Sequence, residues 1–282
     1  MLRWFRADLH IHTCLSPCGD LTMSPKRIVE KAKAEMLDII GVCDHNSAEN
    51  VQFAINAAKM QDNVRGVSNP DHNKDNLKDN YCRSRSPRIV ANCPCPTLTI
   101  LPGIEICTKE EVHIVGLFDR IDSVQSLQKI VYQSLPEEKN KPQTFGEQII
   151  ANEFDEVEGY NTRLLIGACS LSAKEVVEQI HRLHGISIAS HIDREAYSLI
   201  GQLGFIPENL EIDAVEISSN IALEDAYEKF PEIRKFPILR NSDAHFLEDI
   251  GKATTNLFIE EPSISEITKA FQNKDGRKIS YE

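Results

Sequence analysis

The stretch Ala7-Asp8-Leu9-His10-Ile11-His12-Thr13 lies near the start of the chain and alternates apolar with polar side chains. Residues two apart in a β-strand share a face, so Leu9 and Ile11 are expected on one side and His10 and His12 on the other. The two imidazoles would then be roughly 6–7 Å apart along the strand, close enough to bind one metal ion. A surface strand with two solvated histidines is the alternative interpretation of this stretch taken alone.

The composition favours a globular protein. The chain has 282 residues, of which 41% are hydrophobic and 26% charged, enough for a substantial core. No apolar segment resembles a signal peptide or reaches the length of a membrane span. The eight cysteines lack the spacing of a disulfide framework, so we expect mainly free thiols and a cytoplasmic location. The sequence gives no indication of the oligomeric state.

The charge balance bears on the choice of substrate. The formal net charge is −12, and no basic stripe is evident. Nucleic-acid binding depends on neutralising phosphates with Lys and Arg, so we expect no long duplex DNA as a partner. An anionic substrate would need a local source of positive charge, for which bound metal ions are the obvious candidates.

Strands and helices are predicted to alternate along the chain. Ser24-Pro25 is typical of a helix start, and residues 1–60 are predicted to form strand, helix, strand, helix, the order of a parallel sheet. Later strands are predicted at 98–101, 112–118, 186–189, 214–217, 237–240 and 256–259. The pattern gives about seven strands of a repeating β/α arrangement.

Two segments interrupt this pattern within a single predicted domain of residues 1–282. Residues 61–97 are rich in polar side chains and are expected to form a long insert loop. A zinc site at Cys93-Pro94-Cys95 is conceivable there, but the spacing is not the usual C-x₂-C. Residues 119–169 are expected to form a cap or inserted subdomain.

Side chains of the types that bind metal ions lie within, or directly after, six of the predicted strands. They are His10 and His12, His45, Glu105, His113, His191, and Asp243 with His245. The carboxyl ends of parallel strands point to one face of the sheet, so these side chains are expected to meet in one pocket. Imidazole combined with carboxylate suits zinc, manganese or iron rather than calcium.

Seven fragments in chain order carry a family resemblance. They are D-L-H-I-H-T at 8–13, S…D-L-T at 16–22, C-D-H-N at 43–46, G-I-E at 103–105, V-H-I-V-G-L at 112–117, S-H at 190–191 and S-D-A-H at 242–245. Together they resemble the PHP (polymerase and histidinol phosphatase) family, whose members are metal-dependent phosphoesterases on a distorted barrel. The resemblance implies an α/β fold, a distorted seven-stranded (β/α)7 TIM-like barrel with an inserted cap.

The resemblance also implies two or three divalent metal ions (Mn, Zn or Fe) and assigns their ligands. One ion would be held by His10, His12, Glu105 and Asp243, a second by Glu105, His113 and His191, and a third by Asp20, His45 and His245. Many relatives have Ser-Asp-Gly soon after the second histidine, whereas this chain has additional residues in 16–20. Cys18 is therefore the alternative to Asp20 as a ligand, and a thiolate would favour zinc.

The resemblance implies hydrolysis of a phosphate ester. The expected substrate is a phosphomonoester or phosphodiester, such as a nucleotide, an oligonucleotide end or a small phosphorylated molecule, attacked by a metal-bridging hydroxide. His191 is a candidate acid for the leaving group. Arg194 is either a bidentate phosphate clamp or part of a surface ion pair. Glu216, at a strand end, is either a hydrogen-bond partner of a metal ligand or only structural.

Two other functions stay open at this stage. One is a metal-dependent hydrolase of a C–N bond on a similar barrel. The other is a non-catalytic metal-binding regulatory module.

Overall fold

The computed structural model describes residues 1–66 and 97–281. Its strands are β1 (Arg3–Ile11), β2 (Ile39–Val42), β3 (Thr99–Cys107), β4 (His113–Leu117), β5 (Ile149–Ala151), β6 (Val157–Tyr160), β7 (Ile186–Ala189), β8 (Ala214–Ile217), β9 (Ile238–Arg240), β10 (Thr255–Ile259) and β11 (Lys278–Ser280). Its α-helices are α1 (Pro25–Ala34), α2 (Val51–Gly66), α3 (Ile121–Ser134), α4 (Pro142–Phe145), α5 (Ala173–Arg182), α6 (Leu199–Leu203), α7 (Leu223–Lys229) and α8 (Ile264–Phe271). Two short 3-10 helices span Pro231–Lys235 and Leu247–Asp249.

Nine of these strands form one mixed sheet in the order β11-β10-β1-β2-β3-β4-β7-β8-β9. The strands β1, β2 and β3 run parallel to one another, and so do β7, β8 and β9. The strand β4 pairs antiparallel with both β3 and β7, and β10 pairs antiparallel with β1 and β11. The remaining strands, β5 and β6, form a separate hairpin.

The sheet curls so that its two parallel halves approach each other at one end. The loop after β9 returns to β1, where Ile11 bridges Ala244 and the His12 backbone N–H donates to the Ala244 carbonyl at 3.0 Å. The Leu9 backbone N–H also donates to the Asn241 side chain at 2.9 Å. The α/β class and a barrel-like curl are confirmed. The seven-strand detail is not confirmed, because the sheet has nine strands.

Apolar side chains fill both sides of the sheet. Leu9, Leu101 and Val115 belong to a buried cluster inside the curl, whereas Ile11 belongs to a second cluster that packs against the outer helices. The strict alternation expected for residues 7–13 is therefore interrupted. Its cause is a shift in the β1–β2 pairing register between Asp8 and Ile11.

The predicted helix start at Ser24 is confirmed, since its side chain caps α1 and Pro25 is the first helical residue. The helix α2 extends to Gly66, beyond the end near residue 60 that the sequence indicated. Residues 67–96, with Cys93-Pro94-Cys95, lie outside the described residues. Within the described ranges, no helix combines the length and apolarity that crossing a membrane requires.

The segment 119–169 contains α3, α4 and the β5–β6 hairpin. It contacts the loops that follow β1 and β2. The Ile149 backbone N–H donates to the Cys14 carbonyl at 2.9 Å, and the Asn46 side chain donates to the carbonyls of Leu165 and Gly167. These bonds place the segment beside the loops that carry several of the predicted ligands.

Candidate metal centre

The curl of the sheet gathers the predicted metal ligands, except Asp20, into one cluster, in which all are buried except the partly exposed His245. They come from β1 and the residue after it (His10, His12), the loop after β2 (His45), β3 (Glu105), β4 (His113), the loop after β7 (His191) and the loop after β9 (Asp243, His245). Residues separated by most of the chain thus meet at one end of the sheet, as the sequence predicted.

Glu105 lies at the centre of this cluster. Five imidazole nitrogens surround its carboxylate: His45 Nδ1 at 2.9 Å, His113 Nδ1 at 3.2 Å, His10 Nε2 at 3.3 Å, His12 Nε2 at 3.5 Å and His191 Nε2 at 3.6 Å. Among the described residues, neither carboxylate oxygen of Glu105 has a hydrogen-bond partner, although both are buried. A buried carboxylate without such partners is costly, and a cation shared with the imidazoles would satisfy it.

Asp243 is the second buried carboxylate of the cluster. Its Oδ1 lies 3.1 Å from His12 Nε2 and 3.5 Å from His10 Nε2. Its Oδ2 lies 2.7 Å from an Arg194 Nη2 atom, whose side chain is 43% exposed. Arg194 therefore reaches from the surface to the edge of the cluster.

Three residues at this end of the sheet have left-handed backbone conformations. The φ angles are +47° for Asp243, +28° for His191 and +53° for Asn46. Such conformations in residues other than glycine cost on the order of 1–3 kcal/mol each and are concentrated at functional sites. The fold thus maintains an unfavourable backbone at the ligands His191 and Asp243, and at Asn46 next to the ligand His45.

The pKa values of the carboxylates reflect the surrounding imidazoles. Burial alone raises the pKa of Glu105, but the nearby His113 and His10 outweigh burial and hold it well below its usual range. The pKa of Asp243 is lowered for the same reason, by His10 and His12. Both carboxylates are therefore ionised and available as ligands.

The pKa values of two histidines of the cluster shift in opposite directions. Burial lowers the pKa of His10, but the carboxylates of Glu216 and Glu105 outweigh burial and raise it. Burial and the neighbouring His245 both lower the pKa of His12. So many imidazoles cannot all carry a proton in one buried space, and neutral imidazole is the form that binds metal.

Within the part of the chain that the structure describes, three sets of donor atoms could each hold a metal ion, since the atoms of a set lie within 4.8 Å of one another. They are His12, His45 and His245; His10, His12 and Glu105; and His45, Glu105 and His113. The sets share members, so neighbouring ions would share ligands. Imidazole and carboxylate donors fit divalent zinc, manganese or iron.

Glu216 holds one of these histidines in place. Both of its carboxylate oxygens lie 3.1 Å from His10 Nδ1, and they also accept from the His191 backbone N–H at 3.2 Å and the Asn241 side chain at 2.8 Å. This contact orients His10 with Nε2 toward Glu105. The structure thus favours the first of the two interpretations that the sequence left open for Glu216.

Two further aspartates support the loops without binding imidazole directly. Asp44 accepts from the Thr13 backbone N–H at 2.7 Å and from the Ser16 hydroxyl at 2.7 Å, and that hydroxyl lies 2.9 Å from His12 Nδ1. Asp8 accepts from the Ser242 and Gly251 backbone N–H groups. Burial raises the pKa of Asp8 to about 6.

Asp20 is not brought into the cluster. Its carboxylate accepts from the backbone N–H of Thr22 at 2.8 Å and from the Thr22 hydroxyl at 2.6 Å. Cys18 lies closer to the ligands, with Sγ 3.2 Å from His45 Nε2. Burial would raise the pKa of this thiol, but hydrogen bonds with His245 and His45 lower it to about 6.

A cavity of about 410 Å³ opens beside the cluster. Its lining includes Cys18, Arg194, Asp243, His245, Phe246 and Lys252. The Phe246 side chain is 46% exposed. Sequence reasoning did not identify Phe246, nor Tyr197, whose ring stacks on His113 with centroids 4.7 Å apart. No spacing or motif in the sequence marks either aromatic residue.

Comparisons with known proteins bear on the family. A family model described as PHP-associated matches residues 227–275, the range that contains Asp243 and His245. The uncharacterized protein YqxK of Bacillus subtilis (strain 168) is 29% identical over 107 residues, which cover 36% of this chain and 27% of that protein. The matched region is thus about a quarter of that relative's length. The resemblance to the PHP family is confirmed by the PHP-associated match.

Solved structures share the fold at low identity. The lesion-specific endonuclease Q from Pyrococcus furiosus has a TM-score of 0.62 and 19% identity, covering 98% of this chain and 58% of that chain. Endonuclease Q in complex with a 27-mer duplex substrate with an abasic lesion at the active site has a TM-score of 0.62 and 18% identity, with the same coverage. An amidohydrolase from Chromobacterium violaceum has a TM-score of 0.52 and 16% identity, covering 94% and 96% of the two chains.

The expectation that long duplex DNA is not a partner is wrong. Endonuclease Q matches this fold over 98% of the chain, and its complex holds a duplex at the active site. Net charge is a sum over the whole surface, whereas a duplex contacts only part of it. An overall charge of −12 therefore does not exclude DNA.

Proposed function

We propose that this protein is a metal-dependent phosphoric ester hydrolase. The observation that carries the proposal is the buried Glu105 carboxylate, surrounded by five imidazole nitrogens within 3.6 Å. The shared fold of endonuclease Q supports a hydrolase that acts on a phosphodiester. In this proposal the curled sheet is the distorted barrel of a single PHP domain, and residues 119–169 cap the site.

The donor sets would hold two or three divalent ions (Mn, Zn or Fe). His10, His12, Glu105 and Asp243 would hold one ion, and Glu105, His113 and His191 a second. His45 and His245 would contribute to a third. Such ions ionise water at neutral pH and neutralise the charge on phosphate oxygens.

The chain's own residues would position the ligands and the substrate. Glu216 fixes His10, and the Ser16 hydroxyl fixes His12. His191 would bind an ion through Nε2, which points at Glu105, or would protonate the leaving oxygen. Arg194 would bind a phosphate oxygen at the mouth of the cavity, where it already contacts a carboxylate.

A nucleic-acid phosphodiester is the first substrate class to test, ahead of nucleotides and small phosphate esters. The half-exposed Phe246 lines the cavity beside Arg194 and could stack on a base. Endonuclease Q binds an abasic duplex on the same fold. A C–N bond is the second candidate, because the Chromobacterium violaceum amidohydrolase shares the fold over 94% of this chain.

Removing and restoring metal tests the function. Protein treated with a chelator should lose hydrolysis of a chromogenic phosphodiester, and added Mn²⁺ or Zn²⁺ should restore it. The same preparations are assayed on a phosphomonoester, an abasic duplex oligonucleotide and an amide substrate. Turnover of the amide alone would favour the C–N hydrolase, and metal binding without turnover of any substrate would favour a regulatory module. Full hydrolysis by the metal-free protein would overturn the proposal.

Replacing Arg194 by Ala should weaken substrate binding without changing metal content. A hydrogen bond to a charged group contributes roughly 1.5–3 kcal/mol, so we expect kcat/KM to fall about 10- to 100-fold, mainly through KM. Arg194→Lys should recover part of this loss, because it keeps the charge but not the bidentate geometry. Arg120→Ala, at an exposed position on the N-terminal side of α3, is the matched control. An unchanged KM in Arg194→Ala would leave Arg194 as a surface ion pair only.

A further inference from the structure

We propose that Cys18, and not Asp20, completes the metal site formed by His45 and His245. The inference rests on the metal centre of the proposed function. It concerns residues 16–20, where this chain departs from the family pattern.

Hydrogen-bond partners on the Nδ1 side of His245 and His45 leave the Nε2 atom of each ring available for a metal ion beside Cys18. His245 Nδ1 lies 2.9 Å from the Asp243 carbonyl, an acceptor only, so it is the donor and leaves Nε2 free for a ligand. His45 Nδ1 lies 2.9 Å from the Glu105 carboxylate, which leaves its Nε2 to face Cys18.

The separation of the thiol and the imidazole fits a shared ion. A tetrahedral zinc with ordinary Zn–S and Zn–N bonds places two such ligands about 3.5 Å apart. Cys18 Sγ and His45 Nε2 are 3.2 Å apart. The ring of His12, whose Nε2 would bind the first ion, stacks on that of His245 with centroids 4.1 Å apart, so the two metal positions are neighbours.

The turn after His12 decides which side chain reaches the cluster. A side chain on Gly19 would place its Cβ 2.6 Å from the Thr13 carbonyl oxygen, so this tight turn requires glycine. The turn presents Cys18 to the histidines. Asp20 is then turned away, since its carboxylate accepts two hydrogen bonds from Thr22.

The chemistry of this donor set differs from that of the rest of the centre. A thiolate with imidazoles selects zinc, whereas the positions that combine carboxylate and imidazole also accept manganese or iron. We therefore expect the centre to hold zinc at the Cys18 position even when the other positions are loaded with Mn²⁺. A Cys-containing site of this kind also makes the metal sensitive to thiol oxidation.

Cobalt substitution provides a readout that is independent of turnover. Full-length protein reconstituted with Co²⁺ should show a thiolate-to-cobalt charge-transfer band in the near ultraviolet, which Cys18→Ser abolishes. Asp20→Asn should keep the band. A variant with serine at Cys82, Cys93 and Cys95 should also keep it, which separates Cys18 from the thiols outside the described residues.

Zinc binding is measured on the same variants. Loss of a partner that only orients a ligand already weakens metal binding roughly 10- to 100-fold, so Cys18→Ser should weaken zinc binding at this position at least as much. Cys18→Asp should restore metal binding without the band, and circular dichroism confirms that each variant is folded.

The outcomes separate this inference from the proposed function. A band that survives in Cys18→Ser, or that disappears in Asp20→Asn, would overturn the assignment of Cys18. If phosphodiester hydrolysis is present in that case, the proposed function stands. If the band behaves as expected but no phosphate ester is hydrolysed, the ligand assignment stands and the proposed function fails.

Discussion

Replacing Glu105 by Gln should abolish phosphate-ester hydrolysis together with metal binding at the two donor sets that contain Glu105. The Glu105 carboxylate is fully buried and faces five imidazole nitrogens, so it belongs to two of the three donor sets. Gln has nearly the same shape but is neutral, and its NH₂ group would face nitrogen atoms that need a cation. Loss of metal assistance removes several kcal/mol of transition-state stabilisation, so we expect kcat to fall by roughly 10³-fold or more.

The measurement pairs metal analysis with hydrolysis of a phosphodiester. Glu178→Gln, at an exposed position on α5, removes the same charge far from the cluster. This control should retain the metal content and the rate of phosphodiester hydrolysis. Excess Mn²⁺ should not rescue Glu105→Gln, because the variant would lack the carboxylate that two of the donor sets share. A Glu105→Gln protein that keeps its ions and its rate would contradict the role of the cluster.

The sequence predicted the parts of the site that depend on local periodicity and on strand ends. His10 and His12 were predicted together from a two-residue period, although a register shift interrupts this period in β1, and His45 and Glu105 follow from the carboxyl ends of parallel strands. The structure indeed places His45 and Glu105 side by side in a parallel bridge. The direction of β4 was not predictable, because His113 carries the same sequence signal whether its strand is parallel or antiparallel.

Other features depend on contacts that the chain order does not reveal. Glu216 and His10 are 206 residues apart, and only the curl of the sheet brings them together. The choice between Cys18 and Asp20 depends on a turn, in which a shift of two residues changes the side chain that faces inward. The strand β11 is a three-residue edge strand, so its weak pattern did not count toward the seven strands expected.

Replacing Glu216 by Gln should weaken metal binding without removing any metal ligand. The carboxylate contacts His10 Nδ1 through both oxygens and also accepts from Asn241. Gln retains one acceptor, but it loses the charge that raises the basicity of His10. Loss of such a partner typically costs 10- to 100-fold in metal affinity or activity, and we expect a loss in this range for the first ion.

Metal titration distinguishes this role from a purely structural one. Saturating Mn²⁺ should restore most of the hydrolysis in Glu216→Gln, whereas Glu105→Gln should stay inactive at any concentration. Glu266→Gln is the matched control, because Glu266 is a buried carboxylate that pairs with Arg277 and Lys269 away from the cluster. That control should lower the melting temperature and leave metal affinity unchanged. If Glu216→Gln lowers only the melting temperature, as Glu266→Gln does, then Glu216 stabilises the fold and does not position His10.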